Sequence, residues 1–300
     1  MRTSDATARD QAYQARGKNL ADLERRELTL LAESEGWPRW AAVAARFPLF
    51  RAGDHVMVLG QRPQAQLLLS PQQWRDVGRW PKRGEEPVWL WRSRPVRYQR
   101  GPQSTRTVGG WAPVYDVDQT EGEPLIMMPR PAAPTPGRAP RGMGAALGAV
   151  ADVMGFAVRL RPVASGHAPH LDPNARIITA DPAGDDASHC AALLQRITAA
   201  AAADTSVAVA HRDAVGAATA AVVWATYHQP APSAVRPDPK WRTDHDALRA
   251  VLATVTDLAG TITATLATHA VGTTVAVAGD PMPPPPKPAV LTGQGSVAHV

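Results

Sequence analysis

The sequence predicts an α+β fold in two regions, and three observations lead there. Apolar residues recur at helical spacing over much of the chain but alternate along residues 88–98. Charge is uneven: residues 1–130 hold 20 Lys/Arg against 15 Asp/Glu, residues 131–300 hold 12 of each, and no Glu follows Glu123. Between the two compositions lies Pro129–Gly142 (PRPAAPTPGRAPRG), whose five prolines mark a semi-extended linker. The predicted organisation is a disordered polar N-terminus over 1–18 and a domain of helices plus a small antiparallel sheet over 19–128. The linker over 129–142, a mostly helical α+β domain over 143–278 and a disordered Pro-rich tail over 279–300 complete it.

Taken in order, Asn19 is placed to cap a helix over 19–35, with Leu20, Leu23, Leu28 and Leu31 on one stripe and Gly36 as its stop. Trp40, Val43, Ala44 and Phe47 give a second amphipathic stretch ended by Pro48, and residues 54–61 a third. Ser70, Pro71 and Gln73 form a capping box, and Gly78 closes a short helix expected to expose Trp74 and Arg75. Val88–Tyr98 reads as a strand, with Val88 and Leu90 on one face and Trp89 and Trp91 on the other. Gly101–Gly110 reads as a loop and Trp111–Val117 as a second strand. Beyond the linker, Leu147, Val150, Ala151 and Met154 give a helix. Strands follow at 157–163 and 176–180 around an Asp172-Pro173-Asn174 turn, then Ala-rich helices at 187–203, 211–227 and 243–268.

Composition excludes several function classes. The single cysteine, Cys190, rules out an intramolecular disulfide framework and a Cys-based zinc finger, and fits a reducing compartment. No run approaches the roughly 18 apolar residues of a membrane span, and the N-terminus lacks a signal-like apolar core. The expectation is a cytoplasmic chain with no membrane partner.

The strongest chemical signal is basic and aromatic. Residues 70–111 hold nine Lys/Arg, three acids and five of the nine tryptophans, a net charge of +6. Cations interleaved with indoles suit single-stranded nucleic acid, because Arg and Lys neutralise phosphates while indole faces stack on unpaired bases. The candidate DNA-binding residues are Arg62, Trp74, Arg75, Arg79, Trp80, Lys82, Arg83, Trp89, Trp91, Arg92 and Arg94. The alternative is that the tryptophans are core and the arginines a solvated face. Asp116, Asp118, Glu121 and Glu123 place four carboxylates in eight residues, which reads either as a Mg²⁺ site or as a strand end whose carboxylates bond local backbone.

Several blocks carry a family resemblance. They are Phe47-Pro48-Leu49-Phe50, Gln61-Arg62-Pro63, Trp74-Arg75-Asp76-Val77-Gly78-Arg79 with Lys82-Arg83-Gly84-Glu85, and Val114-Tyr115-Asp116-Val117-Asp118-Gln119-Thr120-Glu121-Gly122-Glu123-Pro124-Leu125. In that order they resemble the N-terminal single-stranded-DNA-binding domain of ArdC-type antirestriction proteins of mobile elements, over about residues 20–125. The chain departs from that family at Phe50-Arg51-Ala52-Gly53-Asp54, where a Tyr-Ser-x-x-Asn pattern is usual.

The resemblance implies that the second region is zincin-like. The family's zinc-binding His-Glu-x-x-His would fall near Leu194–Ala199, with Gln195 and Ala199 at the histidine positions and Arg196 at the glutamate. No two histidines lie four apart anywhere in the chain. The expectation is a degenerate zincin-like domain with no catalytic residue, metal or cofactor. The function expected is non-enzymatic binding of single-stranded DNA by an antirestriction-like protein. The alternatives are an active metallopeptidase and a protein-interaction module built on the second domain or the PPPPKP tail. Three lesser signals are read as structural: His167, His170, His189 and Cys190 as a metal set, Gly142–Gly148 as a dinucleotide loop, and Cys190 as a nucleophile.

Overall fold

The computed structural model describes residues 2–33, 36–97, 105–125, 137–161, 169–180, 186–229, 231, 234–269 and 271. The architecture is α+β. Helices α1 (Arg2–Leu31), α2 (Gly36–Arg46) and α3 (Ala52–Gln61) precede β1 (Leu68–Leu69), α4 (Pro71–Asp76), β2 (Arg79–Pro81), β3 (Val88–Arg97), β4 (Thr105–Asp116) and β5 (Thr120–Gly122). The second region holds α5 (Met143–Val153), β6 (Ala157–Leu160), β7 (His170–Asp172), β8 (Ile177–Ala180), α6 (Ala187–Ala203), α7 (Arg212–Thr226) and α8 (His245–Thr268).

The first sheet has the order β1-β4-β3 and is antiparallel, with β2 and β5 forming a separate antiparallel pair. The third has the order β6-β8-β7; β6 runs parallel to β8 and β7 antiparallel to it. The Asp172 carboxylate makes the β7–β8 turn by accepting from the amides of Asn174 and Ala175 at 3.1 and 3.0 Å.

Several elements differ from the sequence expectation, among them β4, which begins at Thr105 inside the expected 101–110 loop. α1 begins at Arg2, not at Asn19, because Tyr13 and Arg16 find partners on the sheet that supplement a weak local pattern. Gly36 opens α2 instead of merely stopping α1: a Cβ there would meet the Leu30 carbonyl at 2.6 Å, so only glycine lets the two helices turn this tightly. α8 is long and apolar enough to cross a membrane by length and composition, which corrects the expectation that no such run exists. Its Leu248, Val251, Leu252, Val255, Ala259, Ile262 and Leu266 recur every three or four residues and are buried, and the helix packs on α7, α5 and α3 as a core helix does. The tail over 279–300 and most of the proline-rich segment lie outside the described residues.

The halves on either side of that segment share one hydrophobic core. Trp37 and Trp40 of α2 meet edge to face at 5.7 Å. Trp37 also packs on Trp241, at 6.0 Å, from the short 3₁₀ turn Pro239–Arg242 that leads into α8. The chain of rings continues to His211 beyond Trp241 (5.1 Å) and to His55 beyond Trp40 (5.9 Å). All three indoles are at most 2% exposed. Each such side chain typically costs about 3–5 kcal/mol when truncated to Ala.

Two expected outcomes follow from this packing. Trp241→Ala should lower stability by about 3–5 kcal/mol. It should shift a single cooperative urea transition seen alike by far-UV circular dichroism and by fluorescence; two separated transitions would show that the halves fold independently. His55 donates from Nε2 to the Phe47 carbonyl at 2.9 Å, and burial pushes its pKa below the ordinary 6.5. The unfolded chain therefore takes up a proton there more readily, so stability is full above pH 6.5 and is lost as pH falls through the lower folded value. His55→Gln keeps a donor for Phe47 but cannot titrate, and should flatten the loss of stability below pH 6.5 measured by urea unfolding across pH.

Candidate nucleic-acid interface

Strands β3 and β4 pair from Val88↔Val114 to Arg97↔Thr105, forming a long ribbon with two unlike faces. Val88, Leu90 and Val114 are buried, and β3 packs on α3. Arg92, on the same face as Leu90, donates to Asp54 of α3 at 2.7 Å and lies over the Phe50 ring at 5.4 Å. The open edge of β3 is closed by a side chain acting as a strand. Gln61 of α3 accepts from the Trp89 amide at 2.9 Å and donates to the Trp89 carbonyl at 3.0 Å. Pro95 and Pro113 sit in register pairs of the same parity as Trp89↔Pro113, where the backbone N–H points out of the ladder, so neither proline removes a sheet bond.

The other face carries Trp89, Trp91 and Trp111. Trp91 is 50% exposed and meets Trp111 edge to face at 5.3 Å. Its indole lies flat across β4: a Cβ on Gly109 would come within 2.5 Å of the ring, so this glycine makes the bed for Trp91. The N-terminal half of α1 crosses the same face. The Arg16 guanidinium stacks 4.1 Å from the Trp89 ring centroid, and Gly17 brings the helix backbone against the Trp111 indole. Tyr13 Oη accepts from the Trp111 amide at 3.3 Å. Beside Trp89, a cavity of about 580 Å³ is lined by Arg16, Gln61, Arg62, Glu85, Glu86 and Gln119 among others.

The structure sorts the sequence candidates into two groups. Trp74 is fully buried, correcting the expectation that α4 exposes it, and its Nε1 donates to the Tyr115 carbonyl at 2.8 Å. Arg62 is paired with buried Asp116 at 3.2 Å. Arg79 donates to Thr120 Oγ1, the Thr120 carbonyl and the Glu123 carbonyl, so it clamps β2 to β5. Lys82 donates to the Asp118 carbonyl at 2.9 Å, and Arg92 is held by Asp54. These side chains are engaged in holding the domain. Arg75 and Arg83 are exposed, and Arg75 touches Gln72 at 3.0 Å. Trp80 is 52% exposed, though its Nε1 donates to Glu121 at 3.1 Å. Trp89 is half-buried beneath Arg16. The Arg94 side chain lies outside the described residues; its backbone pairs with Val108.

Among the described side chains, the exposed candidates besides the engaged Lys82 are Arg75, Trp80 and Arg83 around the α4–β2 turn and Trp91 on the β3–β4 ribbon. Residues 87–115 hold Arg92, Arg94, Arg97, Arg100 and Arg106 and no Asp or Glu. Around Trp80, by contrast, stand Asp76, Glu85, Glu86, Asp118, Glu121 and Glu123. The acid-free run was available in the sequence. Tyr13 and Arg16 were not, because nothing local ties them to strands about 75–100 residues away.

Of the four carboxylates, Asp116 bonds backbone as in the structural alternative. Asp116 is 1% exposed; its Oδ1 accepts from the amides of Gln66 and Leu67 at 2.9 and 3.0 Å while Oδ2 meets Arg62. Among the described residues, no three His, Cys, Asp or Glu side chains are grouped to share a metal. His167 lies outside them, and Cys190 is buried. Gly142 caps the start of α5 in the left-handed region, φ 80°, so the glycine-rich run is a helix entry. In the second region α6 and α7 press together: a Cβ on Gly216 would meet the Ala199 Cα at 3.0 Å, leaving no room between the backbones there.

No family model matches this sequence, and no curated protein does. Its structure is similar to that of the antirestriction protein ArdC from plasmid R388. The metal-free ArdC crystal structure superposes with a TM-score of 0.48 and the Mn(II)-bound one with 0.47, each at 14% identity over 74% of this chain and 85% of that one. Function is accordingly read from the site's own residues.

Asp116→Ala would leave the Arg62 guanidinium and two amides without their acceptor, and should cost about 3–5 kcal/mol in urea unfolding. A cost below ~1 kcal/mol would show that water replaces the carboxylate and that the β1–β4 junction does not depend on it.

Proposed function

We propose that this chain binds single-stranded DNA, without cutting it, on the β3–β4 ribbon. The observation that carries the reading is the half-exposed Trp91, seated against Trp111 on the β3–β4 ribbon, within a sequence run, residues 87–115, that holds five arginines and no acid. A large indole left half in water is a poor use of an apolar side chain unless something covers it. An unpaired base stacked on Trp91 covers it at about 1–3 kcal/mol per base, while arginines of the 87–115 run other than the Asp54-held Arg92 neutralise neighbouring phosphates. Trp80 with Arg75 and Arg83 extends the surface along β2. The motif resemblance to ArdC-type proteins adds a biological setting: a cytoplasmic protein that shields an incoming strand of a mobile element from host nucleases. The second region is read as a zincin-like domain without catalysis, since the expected zinc positions hold Gln195, Arg196 and Ala199.

The test is binding of a short labelled oligonucleotide across salt concentration. Single strands should give a log–log slope of about −0.7 per phosphate contacted. Trp91→Ala should weaken binding roughly 5- to 150-fold. Trp74→Phe, which shrinks a buried ring and removes its bond to the Tyr115 carbonyl without touching the stacking face, should leave the affinity of the folded chain within about twofold. No binding at low salt, or equal affinity for duplex, sinks the reading. Hydrolysis of peptide or DNA by the chain supplied with zinc or manganese overturns its non-enzymatic half.

A further inference from the structure

The stacking face is not open along its whole length, because the first half of α1 lies on it. Arg16 occupies the face of Trp89 at 4.1 Å, where a base would stack. A Cβ on Gly17 would lie 3.6 Å from the Trp111 indole, and Tyr13 Oη accepts from the Trp111 amide at 3.3 Å. Yet this segment is weakly anchored. Residues 10–15 are all exposed, and among the described side chains the first buried apolar one of α1 is Leu20. Among the described residues, 10–19 are held on the ribbon by one ring contact and one hydrogen bond, and a stretch so held sits at the low-stability end of a structure, where local opening is cheapest.

We propose that residues 10–19 form an internal competitor for the ribbon, with Arg16 standing on Trp89 in place of a nucleobase and leaving when a strand binds. The inference rests on the single-stranded DNA reading above. Binding of DNA then has two parts: opening of the segment, and stacking on Trp89 and Trp111 once they are clear. Apparent affinity is reduced by the fraction of molecules that remain closed.

Two charge-preserving variants test it. Arg16→Lys keeps the cation but loses the planar stack, and Tyr13→Phe keeps the ring but loses the bond to the Trp111 amide. Each should bind an oligonucleotide roughly three- to tenfold more tightly than the parent chain, with an unchanged salt slope. In the parent chain, a saturating oligonucleotide should speed tryptic cleavage after Arg16 and Lys18, the reverse of ordinary ligand protection. Unchanged or weaker binding by both variants, or slower cleavage at those sites on adding DNA, overturns the competitor while leaving the binding reading intact. Failure of the parent and both variants to bind at low salt removes both.

Discussion

The contact between Trp37 and Trp241, 6.0 Å centre to centre, is the constraint on which the rest of the molecule depends. It joins α2, at the heart of the first region, to the turn that launches α8, the longest element of the second. With Trp40 and His55 on one side and His211 on the other, it makes a continuous row of rings through the interior. α2 packs on α7 and α3 on α8 around this row. The proline-rich segment thus separates two compositions without separating two cores. α3 is fixed by that core, and α3 in turn sets the position of the ribbon through Gln61 and Asp54.

That arrangement decides which cations remain for a partner. An arginine near a carboxylate or an open carbonyl is drawn into the domain's own structure, as Arg62, Arg79 and Arg92 are. Burial of the acceptor makes such bonds costly to break, so these side chains serve as clamps. A basic count taken over residues 70–111 mixes clamps with accessible charge. The acid-free run over 87–115 removes sequence-local carboxylates, yet Arg92 within it is still drawn to Asp54 of α3.

Much of the fold was legible where the governing interaction is local. The Ser70–Gln73 capping box is formed as its spacing predicts, with Ser70 N to Gln73 Oε1 at 2.9 Å. The alternation at 88–91 put Val88 and Leu90 inside and the indoles opposite. The helices α6, α7 and α8 fall within two residues of their expected bounds. What was not legible depends on partners far along the chain. Trp74 sits on a helix of six residues, too short to define a face, and is pulled inward by the Tyr115 carbonyl. Gly109 and Gly110 read as loop, yet they lie in β4, where Gly109 is needed beneath Trp91. Tyr13 and Arg16 read as a polar tail because their partners are on β3 and β4.

The two edges of the ribbon are guarded unequally. At Trp89 an amide side chain from a buried helix satisfies both backbone groups, whereas at Trp111 a single phenol hydroxyl bonds the N–H. An unsatisfied strand edge is a template for another strand, whether from a peptide or from a second copy of the chain. A chain clipped between Tyr13 and Leu20 would keep its core and lose that hydroxyl, trading a protected ribbon for one prone to edge-to-edge association. Tyr13 thereby guards the ribbon against self-pairing.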